Sequence, residues 1–245
     1  MGIYKIAEMN IAVTPEYDYT KHYLSEYETD ETEYELEVKI TEEMIDYERK
    51  LNVEIHGDPM EDALCETVAI LRVICDYIID KNGFFLHCSC LKYEDKAVIF
   101  TAPSGTGKST HARLWREHFG DKVQMINDDK PLVREKDGKF IIYGTPWNGK
   151  HHIGSNISAP IGAVFFLEQA KENKTEKIDT VTALTLLLQQ TVIPDTKGAL
   201  QKLLDMLSHL IETVPMYKLY CDISYEAVNV AFQATSEEGR VKSEE

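Results

Sequence analysis

A chain of 245 residues, 43% of them apolar, suits one large α/β domain or a domain with an appendage and has ample material for a packed core. Its formal charge of −16 and the lack of any basic run exclude a nucleic-acid partner, because binding a phosphate backbone depends on clustered Lys and Arg. Five scattered cysteines, no signal-peptide core and no uninterrupted apolar span predict a reduced, soluble, cytoplasmic protein without a membrane partner.

Tyr4–Val13 and Tyr34–Ile40 alternate polar and apolar residues, which predicts antiparallel strands around a Tyr- and Glu-rich loop. Up to about residue 57 the chain carries no recognisable chemistry. Asp58-Pro59-Met60-Glu61 then reads as a helix start, with a cap residue, a proline at the first helical position and a reciprocal Glu. Leu64, Val68, Leu71, Ile74 and Ile78 follow at helical spacing until Asn82-Gly83, so a long core helix closes an N-terminal β/α region over residues 1–83. Glu66, Arg72, Asp76 and Asp80 interrupt that helix and keep it out of a membrane.

Phe84–Leu91 reads as a strand, Glu94-Asp95 as a tight turn and Ala97–Thr101 as a second strand, together a hairpin. A turn centred there sets His87 opposite Ala102, where the second strand gives way to Pro103-Ser104-Gly105-Thr106-Gly107-Lys108-Ser109-Thr110. Such a loop is suited to phosphate. Gly105 and Gly107 let backbone N–H groups turn inward, and the helix starting near Lys108 adds its unpaired N–H groups and positive dipole end. Lys108 can reach the β- and γ-phosphates of a nucleotide, Ser109 offers a hydroxyl to its Mg²⁺, and Thr110 supports it. The usual pattern GxxxxGK[ST] has Ala102 in place of its first Gly. His87 thus reads as a neighbour of the phosphates or as a core histidine satisfied by backbone.

The helix after the loop runs to Phe119 and stops at Gly120, with Ala112, Trp115 and Phe119 on one face and Arg113 and Arg116 turned away; Trp115 reads as core. A strand Lys122–Asn127 ends in Asp128-Asp129, two carboxylates placed where a phosphate-loop enzyme keeps its metal acid. Cys88 and Cys90 read as packing cysteines on one strand face, and His151-His152 as a loop pair. Further strands are expected at Phe140–Tyr143, Ala163–Leu167 and Met216–Cys221, and helices at Thr180–Gln190, Thr196–Thr213 and from Ser224 to about Gln233. Lys150, in Gly144-Thr-Pro-Trp-Asn-Gly-Lys150, reads as a second cation for a phosphoryl group or as an exposed loop lysine; Glu168 reads as a metal or substrate ligand or as a solvent-facing strand end. The organisation expected is a core over 84–235 and a disordered tail over 236–245.

The hairpin with its His, A-P-S-G-T-G-K-S-T and I-N-D-D resemble the phosphate-loop core shared by HPr serine kinase/phosphorylase and phosphoenolpyruvate carboxykinase, and the layout is similar to small bacterial HPr-kinase-related proteins. The resemblance runs from about residue 84 to 168. It implies a mixed α/β fold, a mixed sheet flanked by helices, with a small N-terminal β/α region attached. It also implies ATP and Mg²⁺ as cofactors, with Ser104 to Thr110 around the nucleotide, Lys108 on the β/γ-phosphates, and Ser109, Asp128 and Asp129 as metal-side groups. Asp129 would be the general base toward an acceptor hydroxyl and His87 a neighbour of the transferring phosphate. HPr kinase has a Glu-x-Arg-Gly-Leu-Gly type segment that this chain lacks, and phosphoenolpyruvate carboxykinase has its own metal Lys and His without counterparts here. The resemblance therefore carries phosphoryl transfer but neither HPr as acceptor nor decarboxylation.

The activity expected is ATP-dependent transfer of the γ-phosphoryl group to a hydroxyl of a protein, peptide or small molecule. Two other readings stand beside it: an inactive nucleotide-binding accessory or sensor module, and phosphorolysis or hydrolysis of a phosphoserine. The N-terminal strands either cover the core or offer an edge for a homo-oligomer.

Overall fold

A computed structural model describes the backbone of residues 1–241 and side chains through residue 235. The chain divides into two compact units, residues 1–81 and 82–245. Residues 242–245, the end of the expected tail, lie outside the described residues.

In the first unit, β1 (Gly2–Ile6) and β2 (Met9–Val13) form a hairpin whose turn puts Ala7 and Glu8 at positive φ. After α1 (Asp18–Leu24) the chain returns as β3 (Leu36–Val38), which pairs with β2 in parallel, contrary to the antiparallel expectation. The helix between them supplies the crossover that a parallel pair requires. Sequence reading missed α2 (Glu42–His56), although Thr41 caps its start through Met44 N and Gly57 ends it in the left-handed conformation. The long core helix, α3, spans Asp62–Ile78. It begins later than Asp58-Pro59 suggested: Glu61 is still extended at ψ 145°, and the helical ladder opens with Cys65 N donating to the Glu61 carbonyl at 2.9 Å. Glu66, 1% exposed on α3, accepts from the backbone N–H of Glu16 and Tyr17, which explains a carboxylate inside this unit.

The second unit is built on a mixed sheet of nine strands among the described residues. The strand expected over 84–91 is two: β4 (Gly83–Phe85) pairs with β8 (Leu132–Lys136), while β5 (Cys88–Tyr93) pairs with β6 (Lys96–Thr101) and β7 (Val123–Asn127). Between them Leu86 N and His87 N leave the ladders and donate to Pro131 O and Gln190 O, so His87 stands at a break rather than inside a strand. The hairpin register is the expected one, with Cys88 opposite Thr101 and Glu94 at positive φ in the turn. The long β10 (Ser158–Gln169) lies parallel to β6 on one edge and to β12 (Met216–Cys221) on the other, and antiparallel to β9 (Lys139–Tyr143). The strand expected at Phe140–Tyr143 is β9, whereas its hairpin partner β8 and the strand β11 (Lys174–Lys177) went unread in the sequence.

α4 (Lys108–Phe119) and α7 (Tyr225–Val241) pack together; α5 (Thr180–Leu188) and α6 (Lys197–Thr213) form a second helical pair. Trp115, fully buried, sits among Phe100, Phe119, Tyr93 and Phe232 with ring centroids 5.1–6.3 Å away, and so belongs to the core as expected. The fold is thus mixed α/β, a mixed sheet flanked by helices, with a small separate N-terminal sheet. No helix among the described residues is long and apolar enough to cross a membrane.

Candidate functional site

The site grows from the C-terminal end of β6. Gly105 and Gly107 have φ of +79° and +115°, and a Cβ on either would meet nothing within 4 Å. Glycine is demanded there by backbone conformation, not by lack of room. Gly107 caps α4, whose first ladder bond runs from His111 N to Gly107 O, and the amides of the first turn face outward beyond the helix's own bonds. Lys108, 7% exposed, folds back so that Nζ donates to Ala102 O at 2.8 Å and to Pro103 O at 3.4 Å. Burial holds its pKa below the usual lysine value, with Cys88, Asp129 and Asp128 pulling the other way.

A cavity of about 520 Å³ gathers Ser104, Gly105, Gly107, Lys108, Ser109 and Thr110 with His87, Asp128 and Asp129; Gly149, Lys150 and His151 complete its wall. Of the residues singled out in the loop, Thr106 lies outside this cavity: its carbonyl accepts from Gln169 Nε2 at 3.0 Å and it lines the two cavities next door. Glu168 also lies elsewhere, paired with Lys218 at 2.5 Å.

The two carboxylates have different surroundings. Asp128, 8% exposed, accepts from Ser89 Oγ at 2.6 Å, and burial pushes its pKa up while the Ser89 and Ser109 hydroxyls pull it down. Asp129 is also raised by burial, but its contacts with His87 and Lys130 outweigh this and leave it below the ordinary carboxylate value. His87 Nε2 lies 3.4 Å from Asp129 Oδ1, and its Nδ1 is 3.1 Å from Gln190 Oε1. Asn127 shapes the turn. Its Oδ1 accepts from Asp129 N and Lys130 N, both at 2.9 Å, while its Nδ2 donates to the carbonyl and hydroxyl oxygens of Thr145. Gly149, at φ +77°, brings its loop so close that a Cβ would stand 3.2 Å from Asp129 Cβ.

Ser89, Asn127 and Gln190 escaped sequence reading as site residues. Ser89 had a faint signal, a polar residue alternating between two buried cysteines; Cys88 and Cys90 are both fully buried, as packing cysteines should be. Gln190 had none, being 103 positions from its histidine.

Ser109 and the two carboxylates form an all-oxygen donor set suited to a hard cation such as Mg²⁺, which commonly takes one or two protein carboxylates and completes its shell with phosphate and water. Among the described residues no group of three or more His, Cys, Asp or Glu is placed to hold a metal ion.

Fold and site together define a mixed α/β protein with a strand, glycine loop and helix facing a paired carboxylate. The family model for the SynChlorMet cassette protein ScmC matches residues 57–232, and the chain belongs to that family. Among solved structures it is similar to the HPr(Ser) kinase/phosphatase from Coxiella burnetii, with a TM-score of 0.34 and 12% identity over 66% of this chain and 99% of that one. No curated protein matches it.

Proposed function

We propose that the second unit binds a nucleoside triphosphate with Mg²⁺ and transfers its terminal phosphoryl group to an acceptor hydroxyl. The observation that carries this reading is the shared cavity, in which the loop amides, an ammonium, a paired carboxylate and an imidazole converge. Lys108 would exchange its carbonyl partners for the β- and γ-phosphate oxygens. Ser109 and Asp128, which line the same cavity, would hold the cation on the phosphate side, with Asp129 beside them. When bound, Mg²⁺ supplies neutralisation of the charge on the phosphate oxygens.

Asp129, ionised and oriented by His87 and by the Asn127 turn, accepts the acceptor's proton as its oxygen bonds to the γ-phosphorus. The bond from that phosphorus to the β–γ bridging oxygen breaks, and the nucleoside diphosphate leaves with the electron pair. Asp129 need not be a strong base, because proton transfer can come late in a loose transition state.

The test is equilibrium binding of ATP with Mg²⁺, together with transfer of ³²P from labelled ATP to components of a cell extract. Lys108→Ala should abolish binding. Asp129→Asn should keep binding and lower transfer by about 10²–10⁴-fold. Normal binding by Lys108→Ala, or undiminished transfer by Asp129→Asn, would overturn the assigned roles.

A further inference from the structure

Arg113 and Arg116, which the sequence turns away from the core, have no part in the site described so far. On α4 they follow Ser109 by four and seven positions, so the three residues share one helix face. At about 1.5 Å of rise per residue the two arginines stand about 6 and 10 Å along the axis from Ser109. That face walls a cavity of about 320 Å³, closed on its other side by Met125 of β7, Asp128, His151 and Ile153. Ser109, Thr110, Asp128 and His151 also line the phosphate-loop cavity, so the two spaces adjoin at the carboxylates.

Arg113 is exposed and donates to Glu117 at 2.7 Å, a carboxylate that does not line the cavity. Arg116 is exposed too and forms no ion pair among the described residues. Two guanidinium groups along one groove stand out in a chain whose formal charge of −16 otherwise repels anions. Asp128 sets a negative group at the inner end, next to the phosphate loop, so the groove runs from acidic to basic as it leaves the site. A ligand that starts at Ser109 and reaches both arginines must extend about 10 Å. A small hydroxy acid is too short, whereas an extended peptide advances about 3.3 Å per residue and meets the two arginines in about two and three residues. Buried Ala112 and Met125 give such a segment an apolar floor, and each guanidinium can take a carboxylate on two parallel N–H groups.

We infer that this groove is the acceptor subsite and takes an acidic peptide segment, with carboxylates two and three residues from the acceptor hydroxyl and none directly beside it. The inference rests on the proposed function, and peptide binding and nucleotide binding are read separately. Fluorescence anisotropy of the full chain, at low salt with Mg²⁺ and the β,γ-imido analogue of ATP, compares rhodamine-labelled Glu-Glu-Ala-Ser-Ala-Glu-Glu with Gln-Gln-Ala-Ser-Ala-Gln-Gln. The acidic peptide carries the required spacing in either chain direction. It should bind at least about fivefold tighter, the order expected of two exposed charge pairs, although the net charge of the chain alone favours the neutral peptide. Arg113→Gln/Arg116→Gln should abolish that margin and leave affinity for the analogue unchanged, while Lys50→Gln/Lys139→Gln, which removes two exposed cations elsewhere, should keep it. Ala-Ala-Glu-Ser-Glu-Ala-Ala should bind no tighter than the neutral peptide. Equal affinity for the first two peptides, in a chain that binds the analogue, would overturn the groove and spare the phosphate site. Retention of the margin by the double-arginine variant, its loss in the double-lysine variant, or tight binding of the third peptide would also overturn it. Failure to bind the analogue would sink the subsite together with the function on which it rests.

Discussion

The glycine loop at 102–107 and the acidic turn at 127–130 border one cavity but are shaped by different forces. The loop owes its form to neighbouring residues: two glycines in left-handed conformations, a helix start, and a lysine that bonds back to carbonyls five and six residues earlier. The turn is cross-braced. Thr145 and Ser89 come from other strands or loops, and Gln190 reaches it through His87. A locally determined segment keeps its shape when a distant partner is lost, whereas a cross-braced one does not. Distant substitutions should therefore displace the carboxylates before the glycine loop.

The largest expected effect comes from Asn127→Leu, which takes the side-chain partner from the buried Asp129 N–H and the Thr145 carbonyl and leaves Lys130 N–H only its bond to Trp147 O. Urea unfolding should show a loss of about 4 kcal/mol, and transfer should fail even at temperatures where the variant stays folded.

Acid separates the two regions next. His111, beneath the loop, is pushed down by burial to about 4, so it stays neutral in the fold while the unfolded chain takes up a proton near pH 6.5. Stability should thus fall as the pH drops from 6.5 to about 4, by up to about 3 kcal/mol, and His111→Leu should flatten that stretch of a urea-midpoint titration. Asp129, held below 3.8, has the stabilising sign of a depressed carboxylate, and its contribution persists until the pH falls below that value. Asp128, raised by burial, works oppositely and gains stability on protonation.

Ser89→Ala should cost about 1–2 kcal/mol by removing a donor from a buried carboxylate. The Asp128 pKa should rise further, measurable by carboxyl NMR. The smallest effect is Gly105→Ala, which meets no atom but must hold a positive φ. About 1 kcal/mol is expected, with weaker nucleotide binding and unchanged carboxylate titration; a shift in that titration would show that loop and turn are coupled after all.

The segments legible in the sequence were those with local causes. The Glu94-Asp95 hairpin, its register, the glycine loop, the buried face of α4 and the span of β12 all follow from turn chemistry, alternation and helical spacing within a few residues. Thr41 and Gly57 also bracketed α2 locally, so that helix was readable and went unread. The split of residues 84–91 was not readable, because it arises from two different partner strands competing for one apolar run. Nor was the parallel pairing of β3, which depends on where the chain returns after α1.

By itself the sequence determined that a glycine loop ending in Lys108 joins a strand to a helix, because glycine conformations and helix starts are set by near neighbours. Only the tertiary structure decided that His87 stands at a break facing Asp129, that Ser89 and Asn127 hold the carboxylates, and that Gln190 reaches the imidazole. Those contacts join residues far apart in the chain, and sheet order and helix packing bring them within hydrogen-bond distance.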